Sequence, residues 1–293
     1  MKIMHMTIFC NCSPHQGLSE ARRHRSPIPG TPLSLIDRNH EIPAPASGTY
    51  PMAQDIDAQI RSLAVSLGAD YFGIADLDPA RDFIHAQGGE MVSRYPYGVA
   101  IGMALQDSLV DLLPEKDPAG VILYRHNSYD VVNLVLDQIA LRVANMLQRE
   151  GYGAFPVPAA KRTDDEHICG VFSQKCAAHL AGLGWIGKSC LLVTPDHGPR
   201  VRGVTVLTDA PLVPTGPPME QRCGKCTACV DICPQHAFTG RPFAADEPRE
   251  ARFDATACDR YFRDLEKERG VAVCGLCLFI CPYGRKTRSQ SGK

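Results

Sequence analysis

The sequence has few aromatic residues, no long apolar run and no excess of charge of either sign. Phe, Trp and Tyr make up 7% of its 293 residues, and there is one tryptophan. No segment holds the roughly eighteen consecutive apolar residues that a membrane-spanning helix needs, so we expect no membrane partner. The 31 Lys and Arg residues balance 32 Asp and Glu residues, which excludes a global basic field for a polyanion. A hydrophobic share of 44% still predicts a globular core.

Cysteine, in contrast, is abundant and unevenly placed. Eight of the 13 cysteines lie between Cys223 and Cys281. This distribution indicates a metal-binding module, because the disulfides of a secreted scaffold are spread through the chain. The other five have no metal-binding spacing, and we expect buried or free thiols at Cys10, Cys12, Cys169, Cys176 and Cys190.

The cysteine spacing matches that of a bacterial ferredoxin with two 4Fe–4S clusters. One run is C-x2-C-x2-C-x3-C-P from Cys223 to Pro234, and a second joins Cys258 to C-x2-C-x3-C-P from Cys274 to Pro282. In such runs three thiolates hold one cluster and the fourth holds the other. The rule predicts Cys223, Cys226, Cys229 and Cys281 for the first cluster, and Cys233, Cys258, Cys274 and Cys277 for the second. Two structural zinc sites are the alternative, but zinc ribbons use paired C-x2-C knuckles without this run.

Residues 1–51 are rich in Pro, Ser and His and show no helical or strand period. Such a segment cannot bury enough surface to offset chain entropy, so we predict a disordered N-terminal extension. The pair Arg22-Arg23 is followed by SPIPGTP, where a twin-arginine export signal needs an apolar stretch. We therefore expect a cytoplasmic protein, and Met52 is a candidate start.

From Gln54 onward the pattern predicts an α+β domain over 52–215. Apolar spacing indicates helices over 54–67, 128–150 and 173–183, with Ser128 as the N-cap of the long one, and strands over 71–75, 97–105, 190–194 and 201–209. A Pro-rich linker leads to a ferredoxin-like domain over 216–285, where a helix-like insert follows Cys258. We expect no helical structure in the basic tail over 286–293.

The segment from Gly182 to Ser189 reads GLGWIGKS and satisfies the phosphate-loop pattern G-x4-G-K-[ST]. That motif binds phosphate only between a strand and the helix that follows it. Here a predicted helix precedes the segment and a predicted strand follows it. We therefore expect no ATP binding. The glycines indicate close backbone approach to packed protein or to a flat ligand, and Trp185 is either core or the face for such a ligand.

The motif AGLGWIGKS, the two cysteine runs, and the strands YFGIADL and YPYGVAIGMAL together resemble the epoxyqueuosine reductase family over about Gln54 to Arg285. These cobalamin and iron–sulfur enzymes perform the last step of queuosine synthesis in tRNA and share their arrangement with reductive dehalogenases. The resemblance implies an oxidoreductase with a nitroreductase-like corrinoid-binding domain, cobalamin and a two-cluster ferredoxin-like domain. It makes five residues candidates for holding the corrinoid: Lys175, Gly184, Trp185, Gly187 and Lys188.

The chain departs from the family in two places. The family motif Y-x-x-G-x-D-Y-H supplies an aspartate as proton donor, whereas this chain reads YRHNSYDV from Tyr124. Tyr129 falls at the acid position and Asp130 follows it, so either is a candidate catalytic acid. Asp130 is alternatively a carboxylate that favours the helix dipole. The chain also ends soon after Cys281, where full-size members continue into helical repeats, so we expect a short form that binds tRNA weakly.

Three functions remain open at this point. The first is an epoxyqueuosine reductase-like enzyme in which electrons pass through two clusters to cobalt. The second uses the same machinery on a small molecule, as reductive dehalogenases do. The third is a ferredoxin-type electron carrier without its own substrate. All three need a low-potential donor of the flavodoxin or ferredoxin type.

Overall fold

The computed structural model describes residues 53–115 and 117–289. The predicted extension over 1–51, the candidate start at Met52 and the last four residues of the predicted tail lie outside this part. Ten α-helices and six strands are assigned within it. In chain order they are α1 Ala53–Ser66, β1 Tyr71–Asp76, α2 Arg81–Gly88, α3 Glu90–Ser93, β2 Tyr97–Ala104, α4 Asp107–Val110, α5 Pro118–Arg125, α6 Val132–Arg149, β3 Ala154–Val157, α7 Gln174–Leu180, β4 Trp185–Ile186, β5 Leu192–Val193, β6 Val201–Thr208, α8 Ala228–Asp231, α9 Ala255–Arg269 and α10 Leu276–Phe279.

The first domain is built on a four-stranded antiparallel sheet of order β1-β2-β6-β3. Side chains alternate between its faces, as the period of two requires. Val99 and Ile101 of β2 join the core formed with α1 and α6, whereas Ala100 joins the core beneath α7. The predicted strands over 71–75, 97–105 and 201–209 are confirmed within one residue at each end, and so are the α+β class and the first helix.

The predicted N-cap at Ser128 is wrong. The helix begins earlier, at Pro118, where the Asp117 carboxylate accepts a hydrogen bond from the amide of Ala119 at 3.4 Å. Aspartate at the N-cap followed by proline is a strong start signal. The chain then runs through a π-helical segment, His126–Val131, directly into α6, so Ser128 is buried inside a continuous helical stretch. Single π turns of this kind are frequent at functional sites.

The ferredoxin-like region consists of short helices around one longer helix, α9. Asp254 caps α9 by accepting from the amide of Ala257 at 2.8 Å, and Gly270 ends it in the left-handed conformation at φ 73°. The helix-like insert after Cys258 is therefore confirmed. Beyond Cys281 a 3-10 helix extends over Pro282–Ser289. The expectation of a tail without helical structure is thus wrong for residues 286–289.

A buried ion pair and the packing of a buried arginine connect the two regions. Arg162, before α7, donates to the Asp259 carboxylate of α9 at 2.9 Å, and only 4% of the Asp259 side chain is exposed. Arg200, also buried, pairs with Asp107 at 2.5 Å and Asp111 at 3.0 Å. Its side chain lies against Gly284, which follows the last cysteine. The domain boundaries at 215 and 285 stay predictions.

No helix within 53–115 or 117–289 is both long and apolar enough to cross a bilayer.

Candidate redox site

Four of the predicted cluster ligands line one cavity. This cavity contains Cys233 from the first cysteine run together with Cys258, Cys274 and Cys277. Cys233 lies before α9, Cys258 lies on α9, and Cys274 and Cys277 follow it. The tertiary fold therefore brings together cysteines that are far apart in the sequence. We call these four residues the second cysteine group. Its remaining walls are mostly apolar, and they include Leu191 from the first domain.

The other four cysteines form a separate group, the first cysteine group, defined as Cys223, Cys226, Cys229 and Cys281. Burial, with smaller contributions from the neighbouring thiols of Cys223, Cys281 and Cys226, raises the pKa of the Cys229 thiol to about 12. The pKa of Cys281 is also raised by burial, with Cys223 and Cys226 adding to the increase against hydrogen bonds from the backbone. Cys281 belongs to the second run in sequence, but it therefore lies beside Cys223 and Cys226 of the first run.

Thiols that are shielded from solvent and lie close together do not lose their protons readily unless a cation is bound beside them. Burial, with smaller contributions from Cys274 and Cys233, raises the pKa of Cys258 to about 12. Burial also raises the pKa of Cys277 well above its ordinary value. A bound metal removes these protons and neutralises the converging thiolates. Both groups therefore suit metal–thiolate chemistry.

Single metal ions are a separate question. Across the described part of the chain, no three His, Cys, Asp or Glu side chains are placed to share one metal ion.

A large cleft opens on the α7 face of the sheet. It encloses about 1170 Å³ of free space, part of it open to solvent. Gly102 and Gly203, paired across β2 and β6, form its floor. The absence of side chains at these two positions leaves the sheet surface accessible to a flat ligand. Polar groups at the walls are Tyr71, Lys161, Thr163, Gln174, Lys175, Thr194 and Arg202.

The cleft adjoins the second cysteine group. Leu191 lines both the cleft and the cavity that holds these four thiols. Leu278, the residue after Cys277, also lines the cleft. The first cysteine group lies nearer the surface, where Cys226 is exposed.

Of the five predicted corrinoid-holding residues, the structure brings one to the cleft. Lys175 lines it, and its ammonium donates to the carbonyl of Cys190 at 2.8 Å. Burial lowers the pKa of Lys175 to about 7, against the opposing effect of the thiol at Cys190. Lys175 is thus able to change its protonation state near neutral pH.

The other four do not line the cleft: Gly187, Lys188 and Trp185 contact the first cysteine group or the residues next to it, and Gly184 packs within the hairpin of β4 and β5. A Cβ on Gly187 would lie 3.7 Å from Cys223 Sγ, and one on Gly184 would clash with the Val193 carbonyl at 2.4 Å. The Lys188 ammonium donates to the carbonyls of Gly224 and Cys226 at 2.9 and 3.1 Å. Trp185 is fully buried and packs edge-on against Tyr283. These residues were predicted to hold the corrinoid but do not reach the cleft. The reason is that the hairpin of β4 and β5 turns away from the sheet, toward the loop that carries Cys223 and Cys226.

The two candidate acids are not among the residues that line the cleft. Tyr129 is buried, and the Arg202 guanidinium lies 3.7 Å from its ring centroid, so Tyr129 supports Arg202 from behind. Asp130 leaves half of its side chain exposed and pairs with Arg125 at 2.5 Å. Both remain hypotheses for the proton donor.

Sequence reasoning missed Tyr71, Arg202 and His197. Tyr71 begins β1 with its hydroxyl at the cleft wall, 2.5 Å from His197 Nδ1. The period-two pattern of YFGIA places Tyr71 on the same face as Ala75, opposite the core formed with α6, and that signal was available. Nothing in the sequence indicated that His197, 126 positions away, would meet it.

The fold and the site define a class: an α+β cleft domain joined to a double-cluster iron–sulfur domain. Residues 222–284 match the family described as "4Fe-4S double cluster binding domain". The predicted pair of 4Fe–4S clusters is therefore confirmed. In sequence the chain is related to the epoxyqueuosine reductases, and the predicted resemblance to that family is confirmed.

Two of these relatives show the extent of the match. The epoxyqueuosine reductase of Synechococcus sp. (strain CC9605) is 36% identical over 121 residues, covering 40% of this chain and 37% of that protein. The enzyme of Pseudomonas aeruginosa is 30% identical over 188 residues, covering 60% and 46%. This chain therefore spans less than half the length of either relative.

Solved structures share the fold. One, reported under the words "Reductive dehalogenase structure suggests a mechanism for B12-dependent dehalogenation", superposes with a TM-score of 0.62 at 22% identity, covering 83% of this chain and 34% of that one. The epoxyqueuosine reductase of Bacillus subtilis gives a TM-score of 0.53 at 20% identity, covering 80% and 66%. At these identities the likeness establishes the architecture alone.

Replacing Lys188 with methionine will make the first cluster release its iron more readily. Neither the wild-type chain nor this variant will bind MgATP. The lysine stabilises two carbonyls of the loop that carries Cys223 and Cys226, and such hydrogen bonds contribute about 1 kcal/mol each. We expect iron release to a chelator to become roughly tenfold faster. Lys225→Met is the matched control, since Lys225 is exposed in the same loop.

Calorimetry with MgATP under anaerobic conditions completes this test. In the structure α7 precedes the GLGWIGKS segment and β5 follows it, the reverse of a phosphate loop. Micromolar MgATP binding that Lys188→Met abolishes would contradict this interpretation.

Proposed function

We propose that this chain is a corrinoid-dependent reductase of the epoxyqueuosine reductase type. The observation that carries the proposal is the cleft itself, which shares Leu191 with the second cysteine group. When bound, the clusters supply electrons one at a time and cobalamin supplies a strongly reducing cobalt. An electron carrier without a substrate has no use for a cleft of this size, so the geometry favours an enzyme.

The ligands of the clusters follow from the two cysteine groups. We assign Cys223, Cys226, Cys229 and Cys281 to the first cluster, and Cys233, Cys258, Cys274 and Cys277 to the second. The mutual effects of the thiols within each group support this crossed assignment. The exposed Cys226 marks the first cluster as the entry point, where a low-potential donor of the flavodoxin or ferredoxin type would approach.

The cleft suits a corrinoid ring because its floor is flat and its walls are polar only in places. Gly102 and Gly203 admit a planar macrocycle against the sheet, and apolar residues such as Leu183 and Leu192 line its sides. Gln174 and Lys175 are placed to bind polar groups at the edge of the ring. Pockets of this type, mostly apolar with a few oriented polar groups, are typical of cofactor sites.

The proposed substrate is epoxyqueuosine in tRNA, as the names of the sequence relatives suggest. A small molecule is the second candidate, because the dehalogenase superposes with a higher TM-score than the epoxyqueuosine reductases do. The balanced charge of the chain leads us to expect weak, salt-sensitive tRNA binding. We infer a cytoplasmic location, since the cytosol keeps cysteine thiols reduced and available as ligands.

The corrinoid site is tested by filling the cleft. A leucine at Gly203 would project from the sheet into the space proposed for the macrocycle, because only the Ile101 carbonyl lies near the added Cβ, at 3.3 Å. We expect Gly203→Leu to weaken cobalamin binding at least about tenfold while keeping both clusters. Gly216→Leu is the control, since its Cβ would meet no atom within 4 Å. The measurement is the anaerobic visible spectrum during titration with cobalamin.

Unchanged cobalamin affinity in Gly203→Leu would place the corrinoid elsewhere, and no binding to the wild-type chain would overturn the proposal. The substrate is decided by analysis of tRNA from a strain that lacks its own epoxyqueuosine reductase and carries this gene. Restored queuosine would exclude the small-molecule alternative as the main activity. Unchanged epoxyqueuosine, with cobalamin bound and reduced, would favour it.

A further inference from the structure

Tyr71 presents a hydroxyl group at the wall of the cleft and is held there by two neighbours. Its oxygen lies 2.5 Å from His197 Nδ1 and 3.1 Å from Thr194 Oγ1. The ring of His197 meets the tyrosine ring edge-on, with centroids 5.8 Å apart. Tyr71 and Thr194 both line the cleft, whereas His197 stands behind them. The hydroxyl is therefore oriented before any ligand binds.

The turn that carries His197 is itself well fixed. The amide of His197 donates to Thr194 Oγ1 at 3.2 Å, and the backbones of Thr194 and Gly198 exchange hydrogen bonds at 2.8 and 3.0 Å. Gly198 has a φ of 55° and lies so close to Gly284 that an added Cβ would meet its amide at 2.3 Å. Since His197 is half-buried and Asp196 beside it is exposed, the turn connects the cleft wall with solvent.

Tyr71 is in the protonation state that a proton donor needs. Burial raises the pKa of its hydroxyl, Asp196 and Asp70 add to the increase, and the hydrogen bonds from Thr194 and His197 oppose it. Because the pKa of the Tyr71 hydroxyl is raised, the hydroxyl stays protonated at neutral pH. Imidazole is the side chain best able to resupply a proton there.

We propose that Tyr71 donates protons to the ligand in the cleft, with His197 and Thr194 as positioning residues and His197 as the source of the replacement proton. This inference rests on the proposed function. Removal of an epoxide oxygen as water breaks two carbon–oxygen bonds and consumes two electrons and two protons. The electrons come from the low-potential donor through the double-cluster domain. For each proton, the Tyr71 O–H bond breaks toward the departing oxygen, and the tyrosinate takes a proton from His197, which recovers one from water.

The first test uses Tyr71→Phe in the reconstituted holoenzyme, with an epoxyqueuosine-modified tRNA stem loop as the probe. Loss of a positioned general acid lowers turnover by about 100-fold to 10,000-fold. We expect that loss in kcat with little change in KM, iron content or the cobalamin spectrum. Tyr97→Phe is the matched control, because Tyr97 is half-buried on the neighbouring strand and outside the cleft lining. Tyr129→Phe and Asp130→Asn, measured in parallel, test the competing donors.

The second test follows His197 itself, so it does not depend on activity. In protein with ¹⁵N-labelled histidine, the ring signal of His197 is identified by its absence in His197→Gln. Tyr71→Phe should shift the Nδ1 resonance, and Tyr97→Phe should not. In turnover, free imidazole should restore part of the activity of His197→Ala, which a purely structural role would not permit.

The outcomes separate the two proposals. If wild type reduces the probe and Tyr71→Phe retains full turnover, the proton-donor role of Tyr71 is wrong and the proposed function stands. An Nδ1 resonance that Tyr71→Phe leaves unmoved would also overturn it, because the hydrogen bond would then be absent in solution. If wild type binds cobalamin but reduces neither this probe nor 3-bromo-4-hydroxybenzoate, the proposed function fails and the role of Tyr71 fails with it.

Discussion

Replacing Cys281 with serine will remove the cluster of the first cysteine group, although Cys281 belongs to the second run in sequence. The wild-type chain should contain about eight iron and eight sulfide, and Cys281→Ser about half of each. Cys233→Ser should produce the same loss of iron, but from the other cluster. The reason is spatial: Cys281 lies with Cys223 and Cys226, and Cys233 with Cys258 and Cys274. Cys176→Ser is the control, because Cys176 is buried outside both groups.

Double variants make this prediction decisive. Cys281→Ser combined with Cys223→Ser should lose no more iron than either single variant, because both act on one cluster. Cys281→Ser combined with Cys274→Ser should lose nearly all iron, because each cluster loses a ligand. The prediction would be wrong if Cys281→Ser combined with Cys274→Ser lost no more iron than either single variant. That result would show that each cluster is bound by cysteines of a single run. Iron analysis and electron paramagnetic resonance of the reduced protein are the measurements.

Replacing Arg200 with methionine will cause the largest loss of stability that we expect outside the cysteines. The guanidinium is buried and pairs with both Asp107 and Asp111. Removing one partner of a buried ion pair costs about 3–5 kcal/mol, and we expect about 3 kcal/mol because 38% of the Asp107 side chain is exposed. In a domain of this size that corresponds to an apparent Tm roughly 6–12 °C lower.

Arg142→Met is the matched control, since Arg142 is exposed on α6. Its Tm should stay within about 2 °C of wild type, because exposed substitutions rarely exceed about 0.5 kcal/mol. Arg200 also contacts Gly284, so Arg200→Met should increase proteolysis after Cys281. A variant as stable as the control would mean that the two carboxylates find water or other partners without cost.

Much of the fold was predictable because local patterns and tertiary structure agree. The helix over Ala53–Ser66 and the strands over Tyr71–Asp76 and Val201–Thr208 follow directly from apolar periodicity. The start of the long helix was not predictable, because the sequence around Ser128 resembles the N-cap of a helix. A π turn preserves helical continuity there and buries the serine, and single-residue propensities carry no signal for such a turn.

The role of the GLGWIGKS segment shows a different kind of limit. Its glycines correctly indicated close backbone approach, but the sequence did not say to what. Gly182 lies against the carbonyl of Pro217 and Gly184 against that of Val193. Lys188 of the same segment donates to carbonyls of the loop after Cys223. The two segments lie 36 to 38 positions apart, so no local pattern relates them. The candidate acids illustrate the same point, because Tyr129 supports Arg202 while Tyr71 occupies the cleft wall.

The sequence by itself determined the chemistry of the metal centres, because thiolate number and spacing within a short run restrict which metal group can bind. It also determined the α+β class, because periodicity is a local property of the chain. Only the tertiary structure decided which loop contacts the cysteines and which polar side chains reach the cleft. Those facts depend on contacts between distant segments, such as Tyr71 with His197, and such contacts form only when helices and strands pack to bury their apolar faces.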